Sequence, residues 1–222
     1  MSADATGPSA LVRLLDDQLP PDTRTYAAPR THPCRVWLER ILRAESDEGA
    51  WRGLGAAYEE MAPEWSAWVA TQSHYLDPIS DALSRIGRVD RAVELGAGTG
   101  EATGLIAAQA RVVVAIDSSH AMIARSTATQ NVRWILGDVR SLPLDSGWAD
   151  LVVGLNAVPS FREIDRVCGP VGRVLWASSF GPDTPLYVEP ERFVGLLGPE
   201  WVGTARRVGF GEWCVAERAR RA

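Results

Sequence analysis

The segment Val93-Glu94-Leu95-Gly96-Ala97-Gly98-Thr99-Gly100-Glu101 is the most informative part of this amino-acid sequence. A short apolar run passes directly into three glycines at alternate positions, and a segment of helical pattern follows them. Glycine lets the backbone turn tightly and approach a ligand, and the N-terminus of the following helix offers free N–H groups. The segment therefore predicts a strand, a ligand-binding loop and a helix.

The glycine loop belongs to a longer alternation of apolar runs and helical segments. The apolar runs are Ala92–Leu95, Val112–Ile116, Val132–Leu136, Leu151–Leu155 and Val171–Ala177. Strands that alternate with helices indicate a parallel sheet covered on both faces. Two later runs, Trp201–Val208 and Glu212–Arg218, flank Gly209-Phe210-Gly211, a hairpin signal. We expect an α/β fold: a Rossmann-like, seven-stranded, mostly parallel sheet that ends in an antiparallel hairpin.

The residues before this core divide into two parts. Residues 1–32 are rich in proline and predict a flexible N-terminal arm, with one or two helical turns around the apolar patch Leu11–Leu15. Residues 33–88 have helical spacing, interrupted at Pro63, and many aromatic side chains. We expect them to form a helical cap that roofs the substrate site, joined to a core of residues 89–222.

Composition excludes several functions. The chain has 222 residues and 46% hydrophobic residues, which suits one domain with a modest extension. All 23 basic residues are arginine. Without lysine the chain cannot form a lysine Schiff base, use a lysine nucleophile or carry the GK[ST] of a phosphate-binding P-loop.

Net charge and cysteine content indicate which classes of partner and which cellular compartment are compatible with the sequence. The net charge of −5 argues against a nucleic-acid partner, and no apolar run approaches the ~20 residues of a membrane span. The N-terminus lacks a basic start followed by an apolar stretch. Three widely spaced cysteines predict no disulfide framework, and no His/Cys pairs indicate a metal site. We expect a cytoplasmic protein without metal; the oligomeric state stays open.

Acidic residues around the glycine loop favour a cationic ligand. A dinucleotide fingerprint would need glycine at 101, where this chain has Glu101, and Glu94 precedes the loop. Both carboxylates would repel a pyrophosphate, whereas S-adenosylmethionine (SAM) carries an ammonium and a sulfonium and no phosphate. Asp117, at the end of the second strand, can accept from the ribose hydroxyls. Asp138, at the end of the third, can accept from the adenine amine.

Five stretches together resemble the class I SAM-dependent methyltransferases, particularly the small-molecule enzymes similar to quinone-biosynthesis methyltransferases. They are VELGAGTG (93–100), AIDSSHAM (115–122), GDVRSLPL (137–144), ADLVV (149–153) and FREIDRVCGPVGRVL (161–175). The resemblance implies that Glu94, Gly96 and Gly98 hold the methionine part of SAM and that Tyr58 closes over it. The full expected cofactor-binding set is Tyr58, Glu94, Gly96, Ala97, Gly98, Asp117, Ser118, Met122, Asp138, Val139 and Asn156.

The sequence departs from this family where the acceptor should bind. Asn156-Ala157-Val158-Pro159-Ser160 lacks the Asn-Pro-Pro-aromatic pattern of adenine and glutamine N-methyltransferases, and Phe180–Gly198 is short for a substrate cap. The N-terminal helices must therefore supply the roof, where aromatic residues such as Trp65 and Trp68 either pack the cap or line an acceptor pocket. For an oxygen acceptor, His74 is the first candidate for a general base, with Tyr75 and Glu59 behind it; a neutral amine or a stabilised carbanion needs no base.

The function predicted from these residues is methyl transfer from SAM to a small molecule by in-line displacement. An aromatic compound or a natural-product intermediate is the candidate acceptor. The alternatives are a non-catalytic module that binds SAM or a partner and, less favoured because of Glu101, a nucleotide-dependent oxidoreductase.

Overall fold

The computed structural model describes residues 11–18, 26–127 and 129–219. Strands and helices alternate through most of them. The strands are β1 (Leu11–Arg13), β2 (Asp17–Gln18), β3 (Val89–Leu95), β4 (Ala110–Asp117), β5 (Val132–Leu136), β6 (Ala149–Leu155), β7 (Cys168–Ser178), β8 (Trp201–Gly209) and β9 (Gly211–Arg218). The helices are α1 (Pro33–Arg43), α2 (Glu48–Met61), α3 (Trp65–Ala70), α4 (Asp77–Ile86), α5 (Thr103–Gln109), α6 (His120–Ile123), α7 (Phe161–Val167) and α8 (Pro190–Leu197).

The described strands form a single sheet in the order β1-β8-β9-β7-β6-β3-β4-β5, and β2 also pairs with β8. β3 lies between β4 and β6 and is parallel to both. β9 is antiparallel to β7 and to β8, so the predicted Rossmann-like sheet with its antiparallel hairpin is confirmed. The chain moves outward in one direction through β4 and β5 and then returns to the other side of β3 through β6. Ligands of such sheets bind at this reversal, beyond the carboxyl ends of the strands.

The N-terminal arm adds two short strands to the seven that the sequence predicts. Leu11 pairs with Gly203 and Arg13 with Ala205, in parallel register. The helical turns predicted around Leu11–Leu15 are therefore wrong for this part of the arm. Leu11 is buried against the sheet, and Arg13 forms ion pairs with Glu191 and with the buried Glu212. The ion pairs of Arg13, made with residues 178 and 199 positions away, and the strand pairing with β8 replace the local hydrogen bonds of a helix.

Two helices, one in the cap and one in the core, begin at side chains that cap their first turn. Asp47 accepts from the Ala50 amide at the start of α2, and Ser119 accepts from the Met122 amide at the start of α6. The expected interruption at Pro63 separates α2 from α3. No helix among the described residues is long and apolar enough to cross a membrane.

Candidate functional site

A cavity of about 510 Å³ lies at the carboxyl ends of β3, β4 and β6, under helix α2. All eleven residues predicted to bind the cofactor line it, so the structure brings the whole predicted set together. Their contact with a cofactor stays a prediction. Further lining residues that the sequence analysis did not assign to the cofactor come from the cap and from the loop after β5: Glu48, Trp51, Arg52, Leu54 and Arg140.

The glycine loop needs its glycines for two reasons. Gly96, Gly98 and Gly100 have φ of +67°, +58° and +100°, a region that side chains disfavour. A Cβ at Gly96 would lie 2.9 Å from the Cβ of Ala157, and one at Gly100 would lie 2.9 Å from the Trp134 ring. The loop thus packs closely against Trp134 of β5 and against Ala157 in the segment after β6, and its glycines line the cavity.

Asp117 ties the end of β4 to the loop. One carboxylate oxygen accepts from the Gly98 amide at 2.8 Å, and the other accepts from the Ser119 amide at 2.8 Å. Burial raises the pKa of Asp117 above its ordinary value, while these backbone donors oppose the shift. The side chain lines the cavity between these two anchors, where a ribose hydroxyl can reach its remaining lone pairs.

Glu94 is a buried carboxyl group at the end of β3. Only 2% of the residue is exposed, and the Thr103 hydroxyl donates to it at 2.6 Å. The pKa of Glu94 is raised to about 8, mainly by burial and also by the nearby charges of Glu101 and Asp117, which together outweigh the lowering effect of the Thr103 hydrogen bond. All three acids line the cavity. Their negative charge would attract a cationic group at this end of the cavity and would repel a pyrophosphate.

Asp138 holds Arg140 at the opposite end of the cavity. The guanidinium donates to Asp138 at 2.6 Å and to Glu48 of α2 at 2.5 Å. Burial alone would raise the pKa of Asp138, but the Arg140 hydrogen bonds outweigh it and hold the pKa below its usual range. The Arg140 guanidinium also lies 5.0 Å from the centroid of the Trp51 ring, which lines the same end.

A second cavity, of about 610 Å³, adjoins the first. Tyr58, Trp65, Tyr75 and Asn156 line both, so they form a shared wall. The remainder of the second cavity is mostly aromatic and apolar. Its lining includes Tyr26, His32, Cys34, Met61, Trp68, Phe180, Thr184 and Pro185.

The structure separates the three candidates for a general base. Tyr75 lies in the shared wall, and burial raises the pKa of its hydroxyl well above the ordinary value, so the phenol stays un-ionised near neutral pH. Glu59 lines the first cavity, where hydrogen bonds from the Ser119 hydroxyl at 2.5 Å and the Ala121 amide at 3.1 Å lower its pKa.

His74 lies apart from both cavity linings, with 42% of its side chain exposed and Nδ1 at 2.6 Å from an oxygen of Asp77. His74 has a φ of +63°, and it lines neither cavity although the adjacent Tyr75 lines both. The sequence placed both residues in one pocket because spacing alone does not show this difference.

Tyr26, His32 and Phe180 are cavity residues that the sequence analysis did not select. They come from segments up to 154 positions apart, and only the folded sheet brings them to one surface. His32 has a local signal, since it precedes Pro33 at a helix start and its Nδ1 accepts from the Cys34 amide at 3.2 Å. That signal indicates a helix cap and gives no hint of a pocket.

Comparison with known proteins agrees with this geometry. Residues 92–176 match a family model described as "Methyltransferase domain". The chain is 33% identical over 151 residues to the biotin biosynthesis bifunctional protein BioHC of Cellvibrio japonicus (strain Ueda107), covering 59% of this chain and 29% of that protein. It is 25% identical over 140 residues to a malonyl-[acyl-carrier protein] O-methyltransferase of Marinomonas sp. (strain MWYL1), covering 57% of this chain and 52% of that protein. The chain thus spans about half or less of the curated relatives it matches.

A solved structure, the DhpI–SAH complex, has the same fold. The TM-score is 0.59 at 19% identity, over 75% of this chain and 96% of that one. The matched family segment contains the glycine loop, Asp117 and Asp138. Residues 92–176, which carry most of these motifs, thus match a methyltransferase domain, and these findings together support S-adenosylmethionine as its cofactor.

Proposed function

We propose that this chain transfers a methyl group from SAM, held in the first cavity, to a small-molecule acceptor held in the second. The observation that supports this proposal is the shared wall of Tyr58, Trp65, Tyr75 and Asn156. In-line displacement needs the acceptor atom, the methyl carbon and the sulfur on one line. Two adjoining cavities with a common wall allow that alignment.

The residues of the first cavity fit SAM. Glu94 is a buried acid with a raised pKa and no cation beside it among the described residues, so a ligand with an ammonium and a sulfonium would stabilise its ionised form. Asp117 would accept from the ribose, and Asp138 and Val139 would face the adenine. SAM supplies an already electrophilic methyl group.

Positioning and exclusion of water are the tasks left to the protein. The ring of Trp65 packs against Tyr58 with centroids 5.7 Å apart, on the cap side of the shared wall. The Asn156 amide donates to the Tyr75 hydroxyl at 2.8 Å on the sheet side. These groups orient the reactants without taking a proton, because Tyr75 stays un-ionised.

The acceptor class is the open part of the proposal. The name of the Marinomonas relative specifies O-methylation of a carrier-bound malonyl group. A malonyl group carries a negative charge, yet the charged side chains that line the second cavity in the described part of the chain are Glu60 and Glu64. We therefore propose a small molecule and leave malonyl-type acceptors as a control.

Calorimetric titration with S-adenosylhomocysteine (SAH), the product form of SAM, tests the cofactor site. We expect wild type and Asp90→Ala to bind with micromolar affinity and Asp117→Ala to bind more weakly by about 1–3 kcal/mol, the typical value of lost charged hydrogen bonds. Asp90 is a suitable control because it is an acid with 73% side-chain exposure. Unchanged affinity in Asp117→Ala would refute the ribose role.

Turnover separates the enzyme from a binding module. Purified protein with SAM and a panel of small acceptors should release SAH together with a product heavier by one methylene. Tight binding of SAH without its formation from any acceptor would instead favour a non-catalytic SAM-binding module.

A further inference from the structure

The second cavity is walled by a continuous set of aromatic rings. Tyr26 lies 4.8 Å from Phe180 and 5.4 Å from Trp68, centroid to centroid, and Trp65 lies 5.3 Å from Trp68. Tyr75 completes the set, at 5.8 Å from Phe180. Aromatic faces carry partial negative charge and attract cations as well as flat apolar groups.

The charged side chains at this cavity are acidic. Glu60 and Glu64 line it and are exposed, and their carboxylates have no hydrogen bond or ion pair with any described residue. No arginine lies in the described lining, and the chain has no lysine. The two carboxylates are therefore available to a ligand.

His32 does not supply the missing positive charge. Its Nδ1 accepts from the Cys34 amide, and an accepting nitrogen carries no proton, so the ring is neutral with its proton on Nε2. Burial, and then the charge of Arg35, lower the pKa of His32, which keeps the ring neutral. An anionic acceptor would thus meet aromatic faces and two carboxylates, with no cation among the described lining residues to balance it.

Methyl transfer to nitrogen matches this lining. An ammonium acceptor first loses a proton to water; the lone pair of the neutral amine then forms the new N–C bond, the S–C bond breaks, and its electron pair stays on sulfur to give SAH. The positive charge of the sulfonium passes to the nitrogen, and any N–H proton then leaves to water. Aromatic faces and carboxylates stabilise charge that develops on the acceptor in this way.

We infer that the acceptor is an amine with an aromatic or apolar body, held among Tyr26, Trp65, Trp68 and Phe180 and methylated on nitrogen. This inference rests on the proposed function. It limits the acceptor to amines with an aromatic or apolar body, and it predicts that carboxylates are poor acceptors.

Binding of simple probes tests the inference without turnover. The probes are phenyltrimethylammonium, which mimics a methylated amine product, and 3-phenylpropionate, an anion of similar size. In the presence of saturating SAH, tryptophan fluorescence should show binding of the cation at least tenfold tighter than that of the anion. Equal affinity, preference for the anion, or binding of neither probe would overturn the inference.

Variants locate the binding. Replacement of both acids, Glu60→Gln with Glu64→Gln, should weaken the cation about tenfold, and Trp68→Leu should weaken it by a similar factor. Glu217→Gln removes an exposed acid of β9 and should change nothing. The acids are at the surface, so the double variant keeps its fold even if Trp68→Leu does not. Unchanged affinity in the double variant would overturn the role of the acids.

Turnover with matched acceptors completes the test. 2-Phenylethylamine should yield an N-methylated product and SAH, whereas 3-phenylpropionate and malonyl thioesters should not. If SAH binds but only carboxylates are methylated, the amine inference fails and the proposed function stands. If SAH does not bind, the proposed function itself fails.

Discussion

The Asn156 side-chain amide donates a hydrogen bond to the Tyr75 hydroxyl across 2.8 Å, at the wall between the two cavities. The same amide donates to the Ser179 hydroxyl at 2.8 Å, and its oxygen accepts from the Ser179 backbone at 2.9 Å. Asn156 has a φ of +51°, a conformation that asparagine tolerates better than most residues. It thus joins the ends of β6 and β7 to the cap.

This arrangement predicts a positioning role for Tyr75. Burial raises the pKa of its hydroxyl, so it cannot act as a base near neutral pH. We expect Tyr75→Phe to lower kcat less than about tenfold and to leave the shape of the pH–rate profile unchanged, whereas loss of a general base costs about 10²–10⁴. Tyr26→Phe, at the far end of the second cavity, is the matched control. A larger loss, together with loss of the part of the profile over which the rate rises with pH, would identify Tyr75 as the base.

The raised pKa of Glu94 predicts that the free energy of unfolding falls as pH rises. Its folded pKa of about 8 lies above the unfolded value of 4.5, so the folded chain binds one more proton between these values. Stability from this group is complete below pH 4.5 and declines by up to about 1.4 kcal/mol per pH unit until pH 8. Urea unfolding at pH 6 and pH 8.5 should show that decline in wild type relative to Glu94→Gln. Parallel curves for the two proteins would contradict the raised pKa.

The sheet and the cofactor cavity could be predicted because their signals are local. Apolar runs mark the strands, and Gly96, Gly98 and Asp117 lie within 22 positions of one another on one strand–loop–helix–strand unit. Parallel strands bring their carboxyl ends to one edge, so residues at those ends meet without any knowledge of the cap. The predicted cofactor set accordingly lines one cavity.

The second cavity could not be predicted because its walls are assembled over long distances. Tyr26 and Phe180 meet only after the chain segment before the cap packs beside the loop after β7. The position of His74 likewise depends on one backbone angle, its φ of +63°, which hydrophobic spacing does not encode. Leu11 pairs with Gly203 of β8. The sequence of the proline-rich arm contains no pattern that predicts this pairing.

The hydrogen bonds of Ser66 connect cap helix α3 to the glycine loop, and we call this connection the Ser66 latch. The Ser66 hydroxyl lies 2.9 Å from the Thr99 hydroxyl and 2.9 Å from the Glu101 carboxylate, and Thr99 and Glu101 also contact each other. Ser66→Ala removes the link from α3 and should weaken SAH binding by about 0.5–1.5 kcal/mol, mainly through faster dissociation in stopped-flow traces. Ser84→Ala, whose hydroxyl bonds only within α4, should not change dissociation. Equal rates in both variants would show that the latch does not hold the ligand.

The close packing of Trp176 against Gly154, in the sheet under the site, leaves no space for a side chain at position 154. A Cβ there would lie 2.3 Å from the Trp176 ring, and that ring is stacked on Phe193 at 5.1 Å and is 3% exposed, so it has no space to move. We expect Gly154→Ala to lower the free energy of unfolding by about 1–3 kcal/mol, the usual cost of an overpacked core.

The same glycine-to-alanine substitution at Gly195 should have the opposite effect on stability. Gly195 lies in α8, is exposed, and a Cβ there would meet nothing within 4 Å, so Gly195→Ala should raise the free energy of unfolding by up to about 1 kcal/mol through helix propensity. Urea titration of both variants, followed by tryptophan fluorescence, measures the two changes. An unchanged or higher free energy of unfolding in Gly154→Ala would show that the Trp176 contact does not limit position 154.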